Sequence, residues 1–313
     1  MGVAYHGLVL CRKLTLIGMG LLGGSLGMAA KQRGLADVVF GHVRRRERVR
    51  ECLRAGAADH VTMDPLEAVA GADLIVLCTP VGQMRLLVER FLPGIAPDAV
   101  ITDVGSVKDG LVQDLEKMIW PTGARFVGSH PMAGSEKTGV ANARSDLFED
   151  TVCVVTPTRK TSASALRRVK ALWQRVGART ITMPPAIHDD LVARSSHLPH
   201  ILAGQLVNFV LGAGRGKRQA MVCANGFRDT TRVASGSPEM WRDILVANRR
   251  RLARVIAGYI AGLRKLRAAL LESNQMEIER FLTLAKKRRD EWVTGTCAGR
   301  SGTATGSHVR ARR

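Results

Sequence analysis

The stretch KLTLIGMGLLGGSLGMAAKQRG, residues 13–34, constrains the fold more than any other part of the chain. Lys13 to Ile17 reads as a short apolar strand. Gly18, Gly20 and Gly23 follow as G-x-G-x-x-G, and a helical pattern runs from Leu21 to about Arg33 before Gly34 stops it. A second strand, DVVFGHV, is predicted at 37–43. Each glycine has its own physical task. The first makes a tight turn, the second lets the backbone approach a pyrophosphate, and the third lets the helix pack closely on the strand. The helix N-terminus around Leu22 then offers unpaired N–H groups and a positive dipole end to phosphate. Alone, the glycine motif is weak; with its flanking strand, helix and second strand it predicts a dinucleotide-binding unit.

The alternation continues. Helical RRERVRECLRAG (45–56) is followed by the apolar strand ADLIVLCTP (72–80) and the helix VGQMRLLVERFLP (81–93). AVITDVGSVK (99–108), ARFVGSHP (124–131), TVCVVTP (151–157) and ARTITM (178–183) read as further strands, with an amphipathic helix over 163–177. Strands alternating with helices predict an α/β fold, a Rossmann-type doubly wound parallel sheet. From Pro184 only helical patterns remain, so a C-terminal all-helical domain is expected. The predicted organisation is an arm at 1–12, a dinucleotide-binding domain at 13–183, a helical domain at 184–293 and a disordered basic tail at 294–313. The long apolar helix faces exceed what a lone unit of that size can bury, which predicts a homodimer through the helical domain.

The formal charge of +20 raises nucleic acid as a partner. The positives are spread over RRRERVR (44–50), RRRLAR (249–254), KKRRDEW (286–292) and the terminal RARR, and few aromatics interleave with them. That pattern fits solvated helix faces and a field attractive to small anions better than a stacking platform for single strands. A basic nucleic-acid-binding protein is the remote alternative. The longest apolar stretch, Ile201 to Ala213, is too short to span a bilayer. The six cysteines are scattered without a C-x-x-C pair, so neither a zinc site nor a disulfide framework is indicated, and a cytoplasmic protein is expected.

In open α/β sheets ligands bind beyond the carboxyl ends of the strands. Thr79-Pro80, Ser106 in DVGSVK and His130 in GSHP fall there. Pro131 is expected to end its strand and leave His130 facing the site. At the end of the second strand, where an acid would read the ribose 2′-hydroxyl, stands Val43, followed by Arg44, Arg45 and Arg46. Arg44 and Arg45 favour NADP over NAD, because a guanidinium can pair with a 2′-phosphate; as the start of a solvated helix they leave NAD open. His197 and His200 are three apart, with Pro199 predicting a break or kink between them. They lack cysteine or carboxylate partners for a metal. Arg232, three after Asp229, is a candidate carboxylate clamp held by that acid.

IGMGLLGGSLG, TDVGSVK, GSHPMAGSE, HDDLVARSSHLPH and GFRDTTRVASGSPEMWRDI, in this order over about residues 14–293, resemble the prephenate dehydrogenase family, which includes arogenate and cyclohexadienyl dehydrogenases. The resemblance implies oxidative decarboxylation of prephenate to 4-hydroxyphenylpyruvate with hydride transfer to NAD(P), in tyrosine biosynthesis. It implies His130 as base for the C4 hydroxyl, with Ser106 as its partner. It also implies substrate contacts from His200, Arg232 and His197, and a gating acid at Glu136. The stretch after Val293 is too short for the regulatory ACT domain of many relatives, so any tyrosine feedback is expected to act by competition. No chorismate mutase segment is expected ahead of the first strand.

Arogenate carries an ammonium where prephenate has a ketone, and only Glu136 offers an acid in the 128–140 loop, which favours prephenate or both substrates. A β-hydroxyacid dehydrogenase is disfavoured, because such enzymes use a helix lysine where this chain has paired histidines.

Overall fold

The computed structural model describes residues 9–134, 137–212 and 216–300, with the backbone alone described at 216–217 and 296–300. Residues up to Leu252 form one compact unit and those from Ala253 a second. The first contains an eight-stranded sheet: β1 (Cys11–Ile17), β2 (Ala36–His42), β3 (His60–Thr62), β4 (Leu74–Leu77), β5 (Val100–Asp103), β6 (Arg125–Pro131), β7 (Val152–Thr156) and β8 (Arg179–Thr182). Their order is β3-β2-β1-β4-β5-β6-β7-β8. The sequence does not single out β3, which is three residues long and carries no alternation. The first strand begins inside the stretch expected to be an arm.

Period-two alternation builds a core on each face of this sheet. In β4, Leu74 and Val76 join one cluster with Leu14, Leu16, Leu26 and Trp173. Ile75 and Leu77 join the other with Ile17, Met84, Phe91 and Ile101. Sheets buried on both faces need such continuous apolar strands.

Strands β1 to β6 are parallel to their neighbours. β7 is the exception: it runs antiparallel to β6, with His130 opposite Val154 and Pro131 opposite Cys153, while β8 is parallel to β7. The sheet is parallel, as expected, at every pairing but this one. A parallel return needs a crossover, usually helical, and the described part of the β6–β7 link holds only a single 3-10 turn at Val140–Asn142. Pro131 is the last residue of its strand, as expected. It sits in the ladder, and the Met132 N–H donates to the Val152 carbonyl at 2.7 Å.

The helices that follow the sheet do not pack apart from it. Pro185–Val192, the π turn Ala193–His197 and Leu198–Leu211 form one run within the first unit. The break expected at Pro199 is absorbed as that wider turn, because proline cannot donate to the preceding helical turn. Helix Pro238–Ala247 and the start of Arg249–Leu271 also belong to the first unit. The compact division falls within helix Arg249–Leu271. Helix Gln275–Arg300 continues through the start of the expected tail; residues 301–313 lie outside the described residues. No described helix is long and apolar enough to cross a membrane.

Candidate active site

Register brings the site together. Ile17 lies beside Leu77, and Leu77 beside Asp103, so the carboxyl ends of β1, β4 and β5 are adjacent. The sheet order reverses between β1 and β4, the switch point where α/β sheets open a crevice. The glycine turn after β1, Thr79-Pro80 after β4 and Ser106 after β5 therefore face one cleft of about 530 Å³.

The glycine turn fits a pyrophosphate. Gly18 has φ +103°, and a Cβ there would lie 2.6 Å from Thr79 Cγ2. A Cβ on Gly23 would run into the Gly18 carbonyl, whereas one on Gly20 would enter open space. Gly20 precedes helix Leu21–Gln32, whose first turn has no side-chain cap, and Gly20, Leu21 and Leu22 line the cleft. Two glycines close the turn and the third leaves room for a phosphate against free N–H groups. Val43 is buried while Arg44 and Arg45 are exposed and do not line the cleft.

Beneath Ser106 lies a buried polar seat. Asp103 accepts from the Gly105 N–H at 2.8 Å and the Ser129 N–H at 3.0 Å, and pairs with the Lys108 ammonium. Ser129 donates to the Asp103 carbonyl at 2.6 Å and accepts from the Trp173 indole at 2.9 Å. The loop carrying Ser106 is thereby tied to the strand carrying His130.

His130 is 8% exposed and set back from the cleft lining. Its Nδ1 lies 2.8 Å from His188 Nε2, and His188 Nδ1 lies 2.7 Å from Asp189 Oδ1. Asp189 also accepts the main-chain N–H groups of Lys108 at 2.8 Å and Asp109 at 2.9 Å. Burial alone would raise the Asp189 carboxyl, but His188 and these two amides hold it below its usual value. Burial, with His188, Lys108 and His197 nearby, drives His130 well below the ordinary imidazole range, so it stands neutral.

His197 has no solvent exposure and does not line the cleft. Its Nδ1 lies 3.3 Å from Asn248 Nδ2, which also donates to the Asp189 carbonyl at 2.9 Å. Burial pushes His197 down to about 4, against opposing pulls from Asp189 and the Ser106 carbonyl. His197 is a buried brace behind the cleft lining.

His200, Arg232, Trp241 and Lys137 do line the cleft. The His200 and Trp241 rings stack 3.5 Å apart within 10° of parallel, and burial lowers the His200 pKa. A Cβ on Gly236 would lie 2.7 Å from the Trp241 indole nitrogen, so a glycine is needed beneath this platform. Asp229 is exposed and lies outside the lining, whereas Arg232 lines the cleft. Glu136 lies outside the described residues. No group of three metal-ligating side chains occurs among the described residues.

Two family models cover most of the chain: "Prephenate dehydrogenase, nucleotide-binding domain" over residues 26–182 and "Prephenate dehydrogenase, dimerization domain" over 184–286. The chain belongs to the prephenate dehydrogenase family. It is 35% identical to the cyclohexadienyl dehydrogenase of Zymomonas mobilis, covering 88% of this chain and 95% of that one. It is also 35% identical to the prephenate dehydrogenase of Bacillus subtilis, covering 88% of this chain and 75% of that one. The crystal structure of prephenate dehydrogenase from A. aeolicus with hydroxyphenyl propionate and NAD+ superposes with a TM-score of 0.84 at 31% identity, over 90% of this chain and 98% of that chain.

For a member of the prephenate dehydrogenase family, five polar or aromatic residues here escape a reading of the sequence: Lys108, His188, Asp189, Trp241 and Asn248. Four lie within or beside quoted motifs. The signal that could have found His188 and Asp189 is a pair of titratable residues opening a helix otherwise rich in apolar side chains. Asn248 carries no such signal.

Proposed function

We propose that this chain oxidatively decarboxylates prephenate to 4-hydroxyphenylpyruvate, passing hydride to NAD or NADP, as a step of tyrosine biosynthesis. The observation that carries this reading is the cleft itself, where an open glycine turn faces Ser106, Arg232 and the His200–Trp241 stack. A bound nicotinamide would supply the hydride acceptor. Gly20 and the helix N-terminus behind it hold the pyrophosphate, and Ser106 orients the C4 hydroxyl. Neutral His130 takes that hydroxyl proton, and Arg232 with His200 binds carboxylate. Loss of carbon dioxide makes the ring aromatic, so the protein has mainly to position C4 and polarise its hydroxyl.

Prephenate is favoured over arogenate by charge. No carboxylate occurs among the described lining residues, while Lys137 and Arg232 bring positive charge to a substrate with two carboxylates. Arg44 and Arg45, in place of an acid after β2, favour NADP. Dimerisation through the helical segment is supported by the exposed apolar side chains Tyr259, Ile260, Leu263, Leu270, Phe281 and Leu282.

The test is a matrix of prephenate or arogenate with NAD or NADP, followed by the absorbance of reduced cofactor. Turnover of prephenate is expected; turnover of both substrates would make the enzyme a cyclohexadienyl dehydrogenase. No reduced cofactor in any combination would sink the proposal.

A further inference from the structure

We propose that Asp189 and His188 are positioning residues that fix His130 as its Nδ1–H tautomer, leaving Nε2 as the bare lone pair that takes the substrate proton. The inference deepens the proposed dehydrogenase function and rests on it for the identity of that proton.

The chain of assignments starts at the one group whose role is unambiguous. Asp189 accepts two main-chain N–H groups at the start of helix Asp109–Ile119, so its carboxylate is ionised and only accepts. His188 Nδ1, 2.7 Å away, must then donate to it. A neutral His188 with its proton on Nδ1 has a bare Nε2, which accepts from His130 Nδ1 at 2.8 Å. The two rings meet edge to face, 73° apart, as a directed bond between ring nitrogens requires. Neutral His130 is left with an unprotonated Nε2. That atom makes no hydrogen bond among the described residues, yet it is not one of the sealed, unpartnered buried atoms, so it retains surface.

The reaction then balances. As the C4 hydride leaves for the nicotinamide, the hydroxyl proton passes to His130 Nε2 and a carbonyl forms at C4. The bond to the ring carboxylate breaks, releasing carbon dioxide, and its electron pair flows through the ring to that oxygen. The oxygen takes the proton back from His130 as the phenol. No net proton is gained or lost, and Asp189 stabilises the transient imidazolium through His188, as a carboxylate behind a catalytic histidine does elsewhere.

The experiment is a two-bond nitrogen–proton correlation spectrum of the full chain labelled with 15N-histidine, with His130 assigned from His130→Asn. The wild type is expected to show His130 Nδ1 as the protonated nitrogen and Nε2 as the bare one. In Asp189→Asn one carboxylate oxygen becomes an NH2 that faces an N–H donor; with the NH2 at the Oδ1 site, where His188 binds, His188 reverses and the His130 proton moves to Nε2. That variant should lose kcat on the order of 10²- to 10⁴-fold, by analogy with a serine protease in which the same exchange sets the wrong tautomer. His188→Gln keeps an acceptor for His130 and should retain more of kcat than His188→Leu. A wild-type spectrum with Nε2 protonated, as a doubly protonated His188 would impose, overturns the inference. So does an Asp189→Asn variant with the wild-type tautomer and rate. If Asp189→Asn does not fold, the wild-type spectrum alone decides. Because that spectrum needs no substrate, a correct tautomer in a protein that oxidises neither prephenate nor arogenate would sink the functional proposal alone.

Discussion

The ammonium of Lys108 and the carboxylate of Asp103 form an ion pair in which neither side chain has any solvent exposure. Two charges this deep are costly to desolvate, and the amides of Gly105 and Ser129 help offset that cost at Asp103. Lys108 serves twice, since its main-chain N–H also anchors Asp189. Lys108→Met leaves Asp103 buried without a counter-charge and should lower the unfolding free energy by about 3–5 kcal/mol. Urea denaturation reads this as a lower midpoint at an unchanged slope. Replacing both residues with apolar ones should recover part of the loss; a wild-type midpoint in the single variant would remove the pair from the account of stability.

The glycines of the turn should separate fold from binding. Gly18→Ala meets a positive φ and the Thr79 methyl, so it should destabilise by about 1–3 kcal/mol. Gly20→Ala has φ −87° and open space around its Cβ. Its melting temperature should stay near wild type while dinucleotide affinity falls about tenfold or more, because the methyl occupies the phosphate approach. Calorimetric titration with NAD and NADP checks it, and unchanged affinity in Gly20→Ala would place the pyrophosphate elsewhere.

The two arginines after β2 give a test of cofactor choice. If Arg44 or Arg45 pairs with a 2′-phosphate, Arg44→Ala/Arg45→Ala should weaken NADP by about 1.5–3 kcal/mol, the worth of hydrogen bonds to charged groups, and leave NAD nearly unchanged. Equal effects on both cofactors would reduce the arginines to a solvated helix start.

The parts legible in the sequence are those set by local chain chemistry. Gly18 and Gly23 announce their turn because only glycine meets its steric demands, and the continuous apolar run of β4 announces a strand buried on both faces. The antiparallel β7 was not legible, since strand direction is decided by a connection that leaves little periodic signal. Nor was the Asp189–His188–His130 chain, whose members come from a helix and a strand 58 positions apart at the histidine contact. His197 illustrates the converse: a histidine in a functional motif looks like a ligand until packing shows that Asn248 and complete burial hold it.

The His200 and Trp241 rings stack in the cleft lining, and under the proposed function they give the substrate ring a flat wall. Trp241→Leu removes that wall and also the edge contact of the indole with His197, 6.1 Å between ring centroids, while leaving the His130–His188–Asp189 chain in place. Prephenate KM should rise about two- to tenfold, in line with the roughly 0.5–1.5 kcal/mol of an aromatic pair beyond its area burial, with a smaller effect on kcat. Gly236→Ala should act in the same direction, because its methyl would displace the indole. Steady-state kinetics at saturating cofactor measure both, and a fall in kcat with KM unchanged would assign the stack to the chemical step instead.

Acid sensitivity should carry the signature of His197. Its folded pKa of about 4 lies below the ordinary value of 6.5, so between those limits the unfolded chain binds a proton that the folded chain does not. Stability from this group is complete above pH 6.5, declines as pH falls through that window, and declines no further below about 4. The whole effect is on the order of 3 kcal/mol. His130, His42 and His200 are lowered as well and add to the same slope. Comparing unfolding free energies from pH 7 to pH 4 for the wild type and His197→Gln isolates the one histidine. The variant should start less stable at pH 7, having lost the buried ring, and should show the shallower decline. Parallel curves would mean that His197 titrates alike in the folded and unfolded chains, so that its burial does not oppose the charge.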